Sequence, residues 1–234
     1  MTQAALFLFD LSTEMAKPWA DAGIECWCVD LQHPRGEHRR GNIICVGADA
    51  LAWLPPRREW IFAAFFPPCT DVAVSGARWF RDKGLGAVIQ ALTLFKRSVD
   101  LAELRGCPYL IENPVSTVSS YWRQPDHSFH PWQFAGYCPE DHYTKKTNLW
   151  TGGGFVMPAQ FHEGLAEAPD NRIHFASPGP DRANIRSKTP RGFARAVFEA
   201  NAPANRYADR AAEATALRAV ASDIRAGLTS GERS

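Results

Sequence analysis

The sequence predicts an α/β fold with a doubly wound, mostly parallel sheet. Short apolar runs alternate with amphipathic or polar stretches along the first half of the chain. One of these runs, Trp60–Phe66, is apolar enough to be buried on both faces, as parallel strands are. The runs also end on acids or reactive side chains, at the strand ends where an open α/β sheet binds its ligands.

Ala4–Phe9 reads as the first strand and ends on Asp10. Met15–Ala22 reads as a helix closed by Gly23, with Pro18 tolerated only in its first turn. Glu25–Val29 is a second strand ending on Asp30. Gln32–Gly41, polar and interrupted by Pro34 and Gly36, reads as a loop. Asn42–Val46 is a third strand, with Asp49 just beyond it. Trp60–Phe66 is the fourth and stops at Pro67-Pro68. Leu85, Val88, Ile89, Leu92, Phe95, Val99 and Leu104 recur at helical steps up to Gly106. Tyr109–Ile111 is a fifth strand, followed by Glu112-Asn113-Pro114. Ser116–Gly154 is less regular, with one strand-like stretch at Thr147–Trp150, and residues 155–185 carry little periodicity. Pro190–Ala200 reads as a helix opened by Thr189 as N-cap and Pro190 at the first helical position. Arg206–Leu228 is Ala- and Arg-rich with an apolar stripe. Residues 1–201 are therefore expected to form one domain, and residues 202–234 a C-terminal helical tail that packs on it or meets a protein partner.

Lys plus Arg number 26 against 25 Asp plus Glu, so no overall field drives the chain onto nucleic acid or anionic lipid. No apolar run approaches the ~20 residues of a membrane span, and no secretory leader is visible at the N-terminus. These features point to a cytoplasmic protein. The six cysteines include no C-x-x-C pair, so no metal is expected and the thiols should be free and mostly buried.

Cys69 stands apart. A thiol in a rigid Pro-Pro loop near helix amides can have its thiolate stabilised and act as a nucleophile. Glu112 sits on the neighbouring rim, where burial would keep it protonated. Together they suit addition to an electron-poor heteroaromatic ring. The alternative is a packed thiol and a surface acid.

The ordered set Pro67-Pro68-Cys69 and Glu112-Asn113-Pro114 resembles the catalytic motifs of C5-cytosine DNA methyltransferases. Most similar are the short, phage-type members. The resemblance also runs through Met15–Ala20, Phe66–Thr70, Thr144–Trp150 and Arg186–Pro190, and spans roughly residues 4–201. It implies a Rossmann-like methyltransferase fold with a minimal or absent target-recognition domain. It further implies that Cys69 adds to cytosine C6 while Glu112 holds the base, with Lys145 or Lys146 steadying it. Pro68, Thr70, Asn113, Arg186 and Lys188 would contact the substrate. S-adenosyl-L-methionine would be the methyl donor, held by Phe9, Asp10, Ser12, Asp30, Asp49 and Pro67. The partner would be DNA presenting a flipped or single-stranded cytosine, or a cytosine nucleotide.

Three departures keep alternatives open. The loop Asp10–Met15 lacks the family's glycines, and Glu-Asn-Pro replaces Glu-Asn-Val. Only residues 151–185 separate Trp150 from Arg186, little surface for reading a base sequence. A relative that binds nucleic acid or a partner without methyl transfer, or one using a different donor, therefore stays in play. Arg186, Lys188, Arg191 and Arg195 could hold phosphates or form a solvated face, as could Arg35, His38, Arg39 and Arg40. His127, His130 and His142 match no strong zinc spacing. Trp122, Phe129 and Trp132 are expected in the core rather than as a stacking surface.

Overall fold

The computed structural model describes residues 2–162, 168–173, 175, 179 and 182–203. The helix expected at 206–228, and with it most of the tail, lies outside the described residues. Seven strands form one sheet in the order β3-β2-β1-β4-β5-β7-β6. In chain order they are β1 (Gln3–Leu8), β2 (Glu25–Arg40), β3 (Ile43–Gly47), β4 (Glu59–Phe65), β5 (Tyr109–Pro114), β6 (His127–Phe129) and β7 (Thr147–Gly152). Strand β1 runs parallel to β2 and β4, and β4 parallel to β5, while β7 is antiparallel to both β5 and β6.

The sheet is covered on both sides, as the alternation along β1 dictates. Leu6 and Leu8 face Phe95, Leu101 and Ala102 of the long helix α2 (Phe80–Arg105). Ala5 and Phe7 face the opposite layer. There Trp19 of α1 (Lys17–Asp21) packs beside Phe193, Ala194 and Val197 of α5 (Arg191–Asn201). Cys26 and Cys28 share that second layer, as their spacing predicts. Trp19 stacks on Phe62 at 4.3 Å, joining the layer to the central strand. Two short helices, α3 (Val118–Tyr121) and α4 (Arg182–Ser187), complete the described elements. Among the described residues no helix is long and apolar enough to cross a membrane.

Four local expectations are corrected. Residues 32–41 are not a loop. Cys26–Asp30 pair with β3 in one sense, then Glu37, His38, Arg39 and Arg40 pair with Val46, Cys45, Ile44 and Ile43 in the opposite sense. The chain folds back through Gly41 (φ +60°), and its charged residues shield an edge that would otherwise invite pairing. This return brings the His33 and Pro34 carbonyls against Gly47, where a Cβ would strike them.

The second correction concerns Glu112-Asn113-Pro114, which belong to β5 itself. The antiparallel neighbour β7 supplies partners beyond the reach of β4, and Pro114 ends the strand where a missing N–H is tolerated. Third, Thr189 does not cap α5. Pro190 is the N-cap, and the Asp141 carboxylate accepts from the Gly192 amide at 2.7 Å. Fourth, β6 carried no recognisable signal, being three residues long. The apolar stripe of α2 was legible: Gly84 (φ +76°) breaks the helix just before Leu85, and left-handed Gly106 closes it.

Candidate active site

The strand order reverses between β1 and β4, and the residues expected to carry chemistry follow the carboxyl ends of the strands on both sides of that point. Beyond β4, Pro67 is buried, Cys69 half-buried, and Pro68 and Thr70 exposed. The Cys69 carbonyl accepts from the amides of Val72 and Ala73 at 3.1 and 2.8 Å, closing a tight turn. Those two amides therefore serve the backbone, and the amide that favours the thiolate is that of Cys69 itself. Burial, and then the charge of Glu112, push the thiol's pKa up, while Lys145 and Arg186 pull it down less strongly.

Glu112 projects from β5 opposite Leu149. Burial pushes its carboxyl pKa up against the opposing charge of Lys145, whose Nζ lies 4.0 Å from Oε1. That oxygen has no hydrogen-bond partner among the described residues, so it can take one from a ligand. Of the two candidate lysines the fold turns Lys145 inward, and leaves Lys146 exposed. Next to Glu112, Asn113 is 1% exposed and donates from Nδ2 to the Pro67 carbonyl at 3.1 Å. The cleft beside Glu112 and Lys145 is bounded by Phe66, Phe129, Thr189 and Phe193 and encloses about 10 Å³. That is room for about one water, so a pyrimidine ring enters only if these walls part. Phe129 stacks on Phe193 at 3.9 Å and belongs to the core.

On the β1 side, Asp10 is 3% exposed. Its Oδ1 accepts from the Ser12 hydroxyl at 3.0 Å and the Thr13 amide at 2.8 Å, while Oδ2 has no partner among the described residues. Burial raises its pKa to about 6. Phe9 and Thr13 have φ of +61° and +57°, the left-handed backbone that glycine normally supplies. The loop thus keeps a glycine-like path without glycines. Asp30 is half-buried, with its pKa raised by burial, and accepts from the Gln32 amide at 2.8 Å. Asp49 is exposed and accepts from the Leu51 amide at 2.9 Å. A groove of about 580 Å³ opens beside this loop, and of the six expected donor-binding residues only Ser12 lines it.

The basic cluster at α5 is not free of acids, as the sequence alone suggested. Glu14, 5% exposed, lies 3.2 Å from Lys188, 3.5 Å from Arg191 and 2.9 Å from Lys17. Arg195 pairs with Glu199 at 2.5 Å. Arg186 is half-buried, close enough for its charge to act on the Cys69 thiol. Sequence reasoning missed Glu14, since nothing distinguishes a carboxylate in a polar loop until residues far along the chain close over it.

No protein-family model matches the sequence, and no curated protein matches it. What the structure defines is an α/β protein with a seven-stranded, mostly parallel sheet. At the carboxyl edge of that sheet a cysteine, a buried glutamate and a lysine come together.

Proposed function

We propose that this protein is an enzyme that transfers a methyl group from S-adenosyl-L-methionine to C5 of cytosine, in DNA or in a cytosine nucleotide. The observation that carries the reading is the buried Glu112 Oε1, without a hydrogen-bond partner among the described residues and 4.0 Å from Lys145, on the strand next to the Pro-Pro-Cys69 turn. A 3-2-1-4-5 series of strands also suits the Rossmann-like methyltransferase scaffold that the resemblance implies.

The chemistry follows from those groups. The Cys69 sulfur, once deprotonated, forms a bond to C6. Glu112, whose carboxyl burial biases toward the protonated form, takes up a proton as the ring binds and donates it in a hydrogen bond to N3, stabilising the electron density arriving on the ring. C5 thereby becomes nucleophilic, and a bound S-adenosyl-L-methionine would supply its sulfonium methyl, the S–CH3 bond breaking to leave the neutral thioether. A solvent base then takes the C5 proton as the C6–sulfur bond breaks, which expels the Cys69 thiolate and restores the ring. Because the resting thiol is neutral, a base must take its proton when substrate binds. Asp10 and Asp30 are the acceptors that would hold the donor's ammonium and ribose hydroxyls, and Asp10 Oδ2 has no partner among the described residues.

A second reading is a different group donor on the same scaffold. It is favoured by the wide groove, which takes in Ser12 but none of Phe9, Asp10, Asp30, Asp49 and Pro67. The test is transfer of labelled methyl to duplex DNA, single-stranded DNA and dCMP, beside Cys69→Ala. Label recovered as 5-methylcytosine and lost in the variant supports the proposal. No transfer and no donor binding by calorimetry overturns it, and the mass of any other product identifies the second reading.

A further inference from the structure

Trp79 is the most exposed of the described tryptophans, at 51%. The only other exposed one, Trp122, is anchored to Phe95 and Trp150 at 5.8 and 6.5 Å, so its exposure is the rim of a core stack. Among the described residues no aromatic ring packs on Trp79; its recorded ring partner is the Arg78 guanidinium, 5.1 Å from the ring centroid. Leaving half an indole in water forgoes apolar burial that a stacked ligand would supply.

The position of Trp79 is tied to the candidate nucleophile. It ends the 3-10 turn Val74–Trp79, which starts directly after the turn closed on the Cys69 carbonyl. The Val74 amide donates to the Val115 carbonyl at 2.9 Å, fastening this segment to the chain just beyond β5. Val74 and Val115 are themselves exposed. The charge beside it is positive and partly uncommitted. Lys83 meets Asp71 at 2.7 Å and Arg81 lies 3.7 Å from Asp82, whereas Arg78 has no carboxylate within ion-pair distance among the described residues.

A half-exposed indole carrying a guanidinium over its ring, with no carboxylate paired to that guanidinium among the described residues, matches one ligand chemistry closely. Unpaired bases offer faces to stack on, and their linking phosphates offer charge. In an intact duplex the faces are already taken. We infer that Trp79 and Arg78 form a stacking platform for single-stranded nucleic acid, holding a nucleotide adjacent to the one presented at Cys69. The inference deepens the proposed function by naming the substrate as a strand, not a free nucleotide. It rests on that reading only for which base enters the site, because stacking on Trp79 is indifferent to base identity.

The test is fluorescence anisotropy of the full chain with three labelled probes: a short single strand with one cytosine, an all-thymine strand and the matching duplex. Binding of dCMP is measured by calorimetry. Trp79→Ala should weaken both single strands about tenfold or more and leave dCMP binding within about twofold, with Trp79→Phe restoring most of the loss. Arg78→Gln should lower the salt dependence of strand binding by roughly one phosphate contact. Unchanged strand affinity in Trp79→Ala overturns the inference, as does an equal loss for dCMP and strands, or a loss confined to the duplex. No strand binding by the wild type overturns it too. Failure of methyl transfer alone would leave the all-thymine result standing, so the two ideas fail separately.

Discussion

Asn113 fastens the two motif segments of the site to each other: its Nδ2 donates to the Pro67 carbonyl at 3.1 Å, with both residues buried. Proline at 67 leaves that carbonyl as the strand end's available backbone handle. The bond therefore fixes the turn carrying Cys69 relative to the strand carrying Glu112. Asn113→Ala should cost about 1–3 kcal/mol of stability, the range for removing a buried hydrogen-bond partner. It should also slow formation of a Cys69 adduct with a 5-fluorocytosine oligonucleotide more than it weakens binding of that oligonucleotide. Denaturant melts and adduct kinetics check the two parts, and equal effects on binding and adduct formation would count against a positioning role.

The thiol's environment sets a pH profile. Burial and the nearby Glu112 hold the Cys69 pKa above that of an ordinary thiol, so alkylation by iodoacetamide should rise with pH at a midpoint above the free-thiol value. Glu112→Gln removes a negative charge that opposes the thiolate and should move that midpoint down. Lys145→Met removes a favourable positive charge and should move it up. Mass-spectrometric alkylation rates across pH 7–10 (roughly the range around a free thiol) would measure both directions.

Much of the fold was legible because burial on both faces writes short continuous apolar runs into β1, the first part of β2, β3, β4 and β5, and a helical stripe into α2. The rim was legible for a related reason: Asp10, Asp30, Cys69 and Glu112 interrupt apolar runs at their ends. What was not legible depends on partners distant in sequence. The return stretch Arg35–Arg40 is too polar to look like a strand, and it becomes one only because β3 offers an open edge. Lys188 looks like an available cation until Glu14 is brought beneath it. The raised thiol pKa depends on burial and on Glu112, a residue far along the chain, being brought near Cys69, which composition does not encode.

Asp10 gives a stability signature. Burial raises its carboxyl pKa from 3.8 to about 6. The folded state therefore holds a proton that the unfolded chain has released. Stability from this group is fully present below the unfolded value and falls as pH rises through the folded one, by about 3 kcal/mol in all. Asp10→Asn keeps an acceptor for Ser12 and Thr13 but cannot ionise. The difference in urea stability between variant and wild type should grow in the variant's favour from pH 4 to pH 7 (roughly the span of the two pKa values). A constant difference would mean Asp10 is not desolvated in solution.

Glu14 connects the β1–α1 loop to the start of α5, so it should couple the stability of the two sides of the site. Burial alone would raise its pKa, but the hydrogen bonds and charges of Lys17 and Lys188 outweigh that and hold it below the usual carboxylate range. A lowered carboxylate contributes stability above its unfolded pKa, and the contribution is lost as pH falls through the folded value. Glu14→Gln removes the only carboxylate recorded within ion-pair distance of Lys188 and Arg191 among the described residues. Its cations are half-exposed and can rehydrate, so the cost should be about 1–2 kcal/mol, less than for a fully buried pair. Hydrogen exchange should show the loss concentrated in amides at the start of α5 and in Ser12–Lys17, while β5 and α2 stay protected. The wild-type and variant curves should converge on acidification, because protonation removes from the wild type what the substitution removes at neutral pH.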